Sequence, residues 1–152
     1  MGYTTTMPSA LTIRELHDDE RVWANAQYQA IRFAETPPGA VALVAELADR
    51  RVGLGRLVVQ DPGVLELGGI WTDEAARGLG VARAMVTALL QRLARDGHAG
   101  PVWCIPFTHL AAFYRSMGFT DSPPPWPRAI ADKVADCIAH ALPDVAVLVR
   151  SA

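Results

Sequence analysis

The sequence predicts an α+β fold, α/β mixed in its connections: a mixed, mostly antiparallel sheet with helices on both faces. Three observations lead there. Apolar runs Ala40–Leu47, Arg51–Gln60 and Val64–Thr72 are separated only by turn signals, as consecutive antiparallel strands are. From Val81 to Asp96 the apolar residues Met85, Val86, Leu89, Leu90 and Leu93 recur at helical spacing. After that helix, short apolar runs alternate with further helical segments.

The elements follow in order. "LTIREL" (Leu11–Leu16) alternates apolar and polar residues, a half-buried strand, and Asp18 and Asp19 offer a cap to a helix over "ERVWANAQYQAIRF". That helix is expected to stop near Pro37-Pro38-Gly39. Asp49-Arg50 suits a tight hairpin between the next two strands, and Asp61-Pro62-Gly63 marks the turn into "VLELGGIWT". The Val81–Asp96 helix ends at Gly97 and Gly100. "PVWCIP" then reads as a short buried strand, and "THLAAFYRSM" as a helix capped by Thr108 and stopped by Gly118. "PPPWP" must be a stiff loop, "RAIADKVADCIAHAL" is helical by period, and "DVAVLVR" closes as a strand. No repeat and no linker interrupts this order. The expectation is therefore a leader over residues 1–10 and a single domain over 11–152.

Composition narrows the function classes. A chain of 152 residues, 51% apolar, can bury one core. A formal net charge of -2 leaves no basic footprint for nucleic acid. No apolar run approaches the ~18 residues of a membrane span, and no secretory signal is present, so a cytoplasmic protein without membrane or nucleic-acid partners is expected. Met1-Gly2 through Thr6 fits a loose myristoylation pattern that is better read as leader. Cys104 and Cys137 lack metal spacing and read as two buried free thiols; no metal is expected.

The stretch "RGLGVA", Arg77 to Ala82, carries the chemistry. A phosphate-binding lysine loop would need Lys and then Ser or Thr after its last glycine, and neither is there. A dinucleotide fingerprint would need a third glycine where Arg83 stands. A simpler design remains: the free N–H groups of Gly78, Leu79, Gly80, Val81 and Ala82 converge at a helix N-terminus, which attracts a diphosphate. Arg77 either contacts a phosphate or stays solvated.

With those residues in view, the segment resembles the acyl-coenzyme A signature Q/R-x-x-G-x-G/A of the GNAT N-acetyltransferase superfamily, at Arg77, Gly80 and Ala82. The resemblance is strengthened by "AAFYRSMGF", where Tyr114 is followed by Gly118 and Phe119 as the family's tyrosine is by its Gly-Phe. The order of elements agrees over about residues 11 to 150.

The resemblance implies a GNAT-like twisted sheet whose fourth and fifth strands splay apart, with acetyl-CoA as cofactor. Ile70 and Thr72 would offer backbone groups to the pantetheine arm, with Trp71 between them. Thr108 stands three residues before Ala111, where many relatives carry an asparagine that bonds the same arm, so that one contact is in doubt. Tyr114 takes the role of proton donor to the departing thiolate. Glu66, on the fourth strand, is the leading candidate base, directly or through water, against the alternative of a solvated strand charge; alternation places it beside Gly68, Ile70 and Thr72 unless a glycine bulge intervenes. His109 is a second candidate, while His17, His98 and His140 read as surface residues. Trp23, Tyr28 and Phe33, with Trp126 in the proline segment, either frame the acceptor or belong to the core. The implied activity is direct acetyl transfer to the primary amine of a small molecule or peptide, in a chain that could form a homodimer. The competing reading is a non-catalytic acyl-CoA sensor.

Overall fold

The computed structural model describes residues 10–151, so all of the expected leader except Ala10 lies outside the described residues. Among the described residues there are seven strands and four α-helices: β1 (Leu11–Glu15), α1 (Arg21–Ala30), β2 (Val41–Leu47), β3 (Arg50–Asp61), β4 (Val64–Thr72), α2 (Val81–Arg95), β5 (Val102–Cys104), α3 (Ala111–Arg115), β6 (Thr120–Asp121), α4 (Arg128–Ala139) and β7 (Leu148–Arg150). The strands form one sheet in the order β1-β2-β3-β4-β5-β7-β6. Pairing is antiparallel for β1 with β2, β5 with β7 and β6 with β7, and parallel for β4 with β5. That parallel ladder is short. It holds Leu65 against Val102 and Glu66 against Trp103, while β4 continues to Thr72, the pattern a splay of the two strands leaves.

The chain packs as two compact units, one running to Arg56 and including Gly69–Arg92, the other formed by Leu57–Gly68 and the chain from Leu93 onward. In the first unit β3 sorts its side chains by the two-residue strand period. Leu54 joins Ala24, Tyr28 and Val44 in a cluster against which Trp23, Phe33 and Trp71 pack, so α1 covers that face. Gly53 and Gly55 point the other way: added Cβ atoms there would lie 2.6 Å from Val81 Cγ1 and 2.6 Å from Met85 Cγ, so α2 lies close against the opposite face. The buried residues Val81, Met85, Val86 and Leu89 form the stripe that holds this part of α2 down, each contributing about 1.5–3 kcal/mol. Helices thus cover both faces of the sheet in this unit. In the second unit Val102, Cys104, Tyr114, Phe119, Ile130 and Leu148 are buried.

Several boundaries differ from the sequence expectation, each for a local reason. The α1 helix is preceded by a 3-10 turn at Asp18–Glu20, whose cap is His17 rather than an aspartate; Glu20 closes a capping box by accepting from the His17 N–H at 2.9 Å. It ends at Ala30, seven residues before the first proline, because Arg32 turns left-handed at φ 65. The first hairpin turns at Ala48-Asp49, with φ 52 and 63, one residue earlier than expected. Thr108 does not cap a helix with its side chain; it opens a 3-10 turn capped by Phe107, and α3 starts only at Ala111. Cys104 is buried as expected, but Cys137 is only half-buried on α4, and both are free thiols. The proline segment is non-helical, with Trp126 donating to the Ser122 carbonyl at 2.8 Å.

Candidate active site

The turn into α2 begins with a 3-10 segment at Glu74–Ala76 that buries Ala76 and leaves Arg77 extended and exposed. Gly78 and Gly80 both adopt φ 82, a left-handed conformation that would strain other residues. The Gly80 carbonyl accepts from Ala84 N–H at 3.0 Å, so Gly80 is the residue on which α2 starts. Hydrogens on the first-turn amides consequently point out of the helix with no partner inside it. A Cβ built on either glycine would meet nothing within 4 Å, so the main chain is open to an approaching ligand. Leu79 between them is 45% exposed, whereas Val81 is buried and anchors the turn to the sheet. Ala82 is half-buried. This open backbone at the positive end of a 15-residue helix fits a diphosphate.

Ile70, Trp71 and Thr72 form the half-buried end of β4. The Trp71 side chain packs edge-on against Trp23, ring centroids 5.8 Å apart, and is part of the core rather than a free surface. Just before them the strand bends. Gly69 has φ 60, and its carbonyl accepts from the Tyr28 hydroxyl at 2.7 Å. Strict alternation therefore does not run from Glu66 through to Ile70 and Thr72. Glu66 shares a side with Gly68, whose Cβ would lie 3.4 Å from Oε2, but the left-handed residue breaks the parity beyond it.

Glu66 itself is not the solvated charge that was one of its two expected fates. The residue is buried, and its Oε1 accepts from Gln60 Nε2 at 2.7 Å and from Lys133 Nζ at 2.8 Å. Both contacts fall on one oxygen, Oε1. Gln60 and Lys133 also line a cavity of about 550 Å³, with Arg128, Asp132 and Asp61 on its walls. Neither partner of Glu66 was singled out in the sequence, since Lys133 is 67 positions away and reads there as one polar residue of an amphipathic helix.

Tyr114 is buried on α3, with Phe113 and Phe119 edge-on at centroid distances of 5.0 and 6.0 Å. Burial, and secondarily the neighbouring Cys104, push its phenol well above the ordinary tyrosine range, so it is protonated at neutral pH. Ala111, one turn earlier, is buried, and Thr108 is exposed.

The histidines lie at the surface or in loops: His109 stacks on Phe107 at 6.0 Å, His140 Nδ1 meets the Asp136 carbonyl at 2.8 Å, and His98 Nε2 lies 3.4 Å from the Pro101 carbonyl. His17, Asp19 and Glu20 bring ligand atoms within 4.8 Å of one another, but Glu20 is already held by Arg14 and Arg51. Of the aromatic residues considered for the acceptor, Trp23, Tyr28 and Phe33 all belong to the α1 core cluster.

Residues 10–119 match the family described as the acetyltransferase (GNAT) family. No curated protein is similar to the chain in sequence. Solved structures similar in fold include Escherichia coli ElaA, 17% identical with TM-score 0.69, covering 93% of this chain and 99% of that one. Another is an acetyltransferase of the GNAT family from Staphylococcus aureus, 12% identical with TM-score 0.68, covering 93% and 99%. A GNAT family acetyltransferase from Elizabethkingia anophelis, solved with acetyl-CoA bound, is 12% identical with TM-score 0.65, covering 94% and 99%.

Proposed function

The chain belongs to the acetyltransferase (GNAT) family, and on that premise we propose that it moves an acetyl group from acetyl-CoA directly to the primary amine of a small molecule or peptide. The observation that carries this reading is the open, double-glycine backbone on which α2 begins. When bound, acetyl-CoA supplies a thioester whose carbonyl carbon an amine can attack. The rest is the work of this chain's own groups.

The N–H groups of Gly78, Leu79, Gly80, Val81 and Ala82 hold the diphosphate in the field of the α2 N-terminus, and exposed Arg77 supplies positive charge beside them. Backbone groups of Ile70 and Thr72 pair with the amides of the pantetheine arm, as an added strand would. Trp71 supports them from the core, and Thr108 and Ala111, in the turn leading into α3, would be further residues to hold the arm.

An alkylammonium keeps its proton at neutral pH, so the acceptor must lose it before attack. Oε2 of Glu66 receives that proton, directly or through a water, while Gln60 and Lys133 keep the carboxylate fixed by Oε1. The charged walls of the neighbouring cavity suit a polar acceptor better than an aromatic cage would. Tyr114 holds its proton more tightly than a thiol of pKa about 8.5, so complete transfer to sulfur is uphill. Its role is then to donate a hydrogen bond to the charge developing on sulfur, and the expelled thiolate takes up, through solvent, the second proton that the acceptor nitrogen loses as the amide forms.

Thiol release in the presence of acetyl-CoA and a panel of primary amines tests this function. Acceptor-dependent release is expected for at least one amine. Cofactor binding without release for any of them would favour the sensor reading.

A further inference from the structure

The bend in β4 is held from outside the strand. Gly69 adopts φ 60 with its carbonyl turned to the Tyr28 hydroxyl, 2.7 Å away. The Arg56 guanidinium lies over the Tyr28 ring at 4.2 Å, and Arg56 Nη1 donates to the Ala34 carbonyl at 3.0 Å and to Thr36 Oγ1 at 2.8 Å. Tyr28 stacks in turn on Phe33, at a centroid distance of 6.2 Å. A side chain at position 69 would collide with this arrangement, since a Cβ there falls 2.7 Å from Arg56 Nε and 2.8 Å from the Tyr28 hydroxyl.

A buried arginine and a buried tyrosine are costly choices for a core, where apolar residues could fill the same space. What they supply is direction. A strand carbonyl pulled out of line rotates the peptide that follows it, and the N–H on that peptide belongs to Ile70. Burial holds the Tyr28 phenol protonated, pushed up to about 12, so it remains a donor throughout the neutral range.

We propose that Tyr28 and Arg56 are positioning residues that lock the Gly69 bend and thereby aim the Ile70–Thr72 backbone at the acyl carrier. The proposal rests on the function argued above, in which that backbone pairs with pantetheine. It also ties the segment after α1, through Ala34 and Thr36, to the cofactor strand, so disturbance in one reaches the other.

Tyr28→Phe removes only the hydroxyl and keeps the ring under Arg56. Amide exchange at Ile70–Thr72 in the cofactor-free protein is expected to quicken about fivefold, the scale of one lost hydrogen bond. The KM for acetyl-CoA should rise by about the same factor while kcat stays within about twofold. A core variant with a matched drop in melting temperature, Ile130→Val in α4, should change neither quantity. Unchanged exchange at Ile70–Thr72 in Tyr28→Phe, or an equal rise in KM in Ile130→Val, overturns the proposal. Faster exchange in a protein that binds no CoA would instead sink the proposed function and leave the lock on β4 standing.

Discussion

Lys133 Nζ, on α4, donates to Glu66 Oε1, on β4, at 2.8 Å, with the lysine side chain 41% exposed and the glutamate only 9%. The pair has one end in water and the other in the interior. Lys133→Met would leave the carboxylate with Gln60 as its remaining donor. Because the lysine is partly solvated, the expected loss is about 1–2 kcal/mol rather than the larger cost of breaking a fully buried pair. Urea unfolding of Lys133→Met beside Glu66→Gln checks this, the neutral glutamine losing less.

Removing the carboxylate proposed as proton acceptor should show in rate more than in binding. Glu66→Gln keeps the volume and still accepts from Lys133, so the fold should survive. Turnover with a good amine is expected to fall about a hundredfold, with little change in CoA affinity. A rate equal to that of the parent protein would take Glu66 out of the base role.

Tyr114→Phe is the corresponding test of the donor. The ring remains between Phe113 and Phe119, so packing is preserved. Turnover should drop about tenfold or more while calorimetric CoA affinity holds, since the hydroxyl is assigned to developing charge alone. Loss of binding without loss of kcat would contradict the assignment.

Acid should unfold the protein partly through Glu20. Arg14 holds this carboxylate with bonds of 2.8 and 3.0 Å, and those hydrogen bonds, helped by the His17 N–H, lower its pKa from 4.5 to about 2. A folded pKa below the unfolded one means the native state binds fewer protons in that window. The stabilisation is complete above the unfolded value and is lost as pH falls from about 4.5 towards 2. Glu20→Gln should cost about 1 kcal/mol near neutral pH and flatten the fall in stability over that window, measured by denaturant midpoints against pH.

Local rules served best where one residue's neighbours decide its state. The period of Met85, Val86, Leu89, Leu90 and Leu93 leads directly to α2, and β4 occupies Val64–Thr72 as its apolar run suggests. The glycine turn into α2 is legible for the same reason, since two glycines before an amphipathic helix are a backbone statement. Arg32 turning left-handed carries no such mark, so the sequence alone extends α1 beyond its end at Ala30. The pairing of Glu66 with Lys133 and of Gly69 with Tyr28 is invisible in the sequence for a different reason. Lys133 and Tyr28 lie 67 and 41 positions away, and only the folded sheet brings them within hydrogen-bond range.

The most direct test is CoA titration by calorimetry into folded protein and into Gly80→Asp. Position 80 faces open space, so a Cβ there displaces no neighbour; any side chain is strained at φ 82, aspartate less than most. What it adds is negative charge where a diphosphate should sit. Saturable binding by the parent protein and affinity at least about tenfold weaker in the variant are expected. Equal affinity in the two, or no heat from the parent protein with either CoA or acetyl-CoA, would contradict the assignment of the α2 turn.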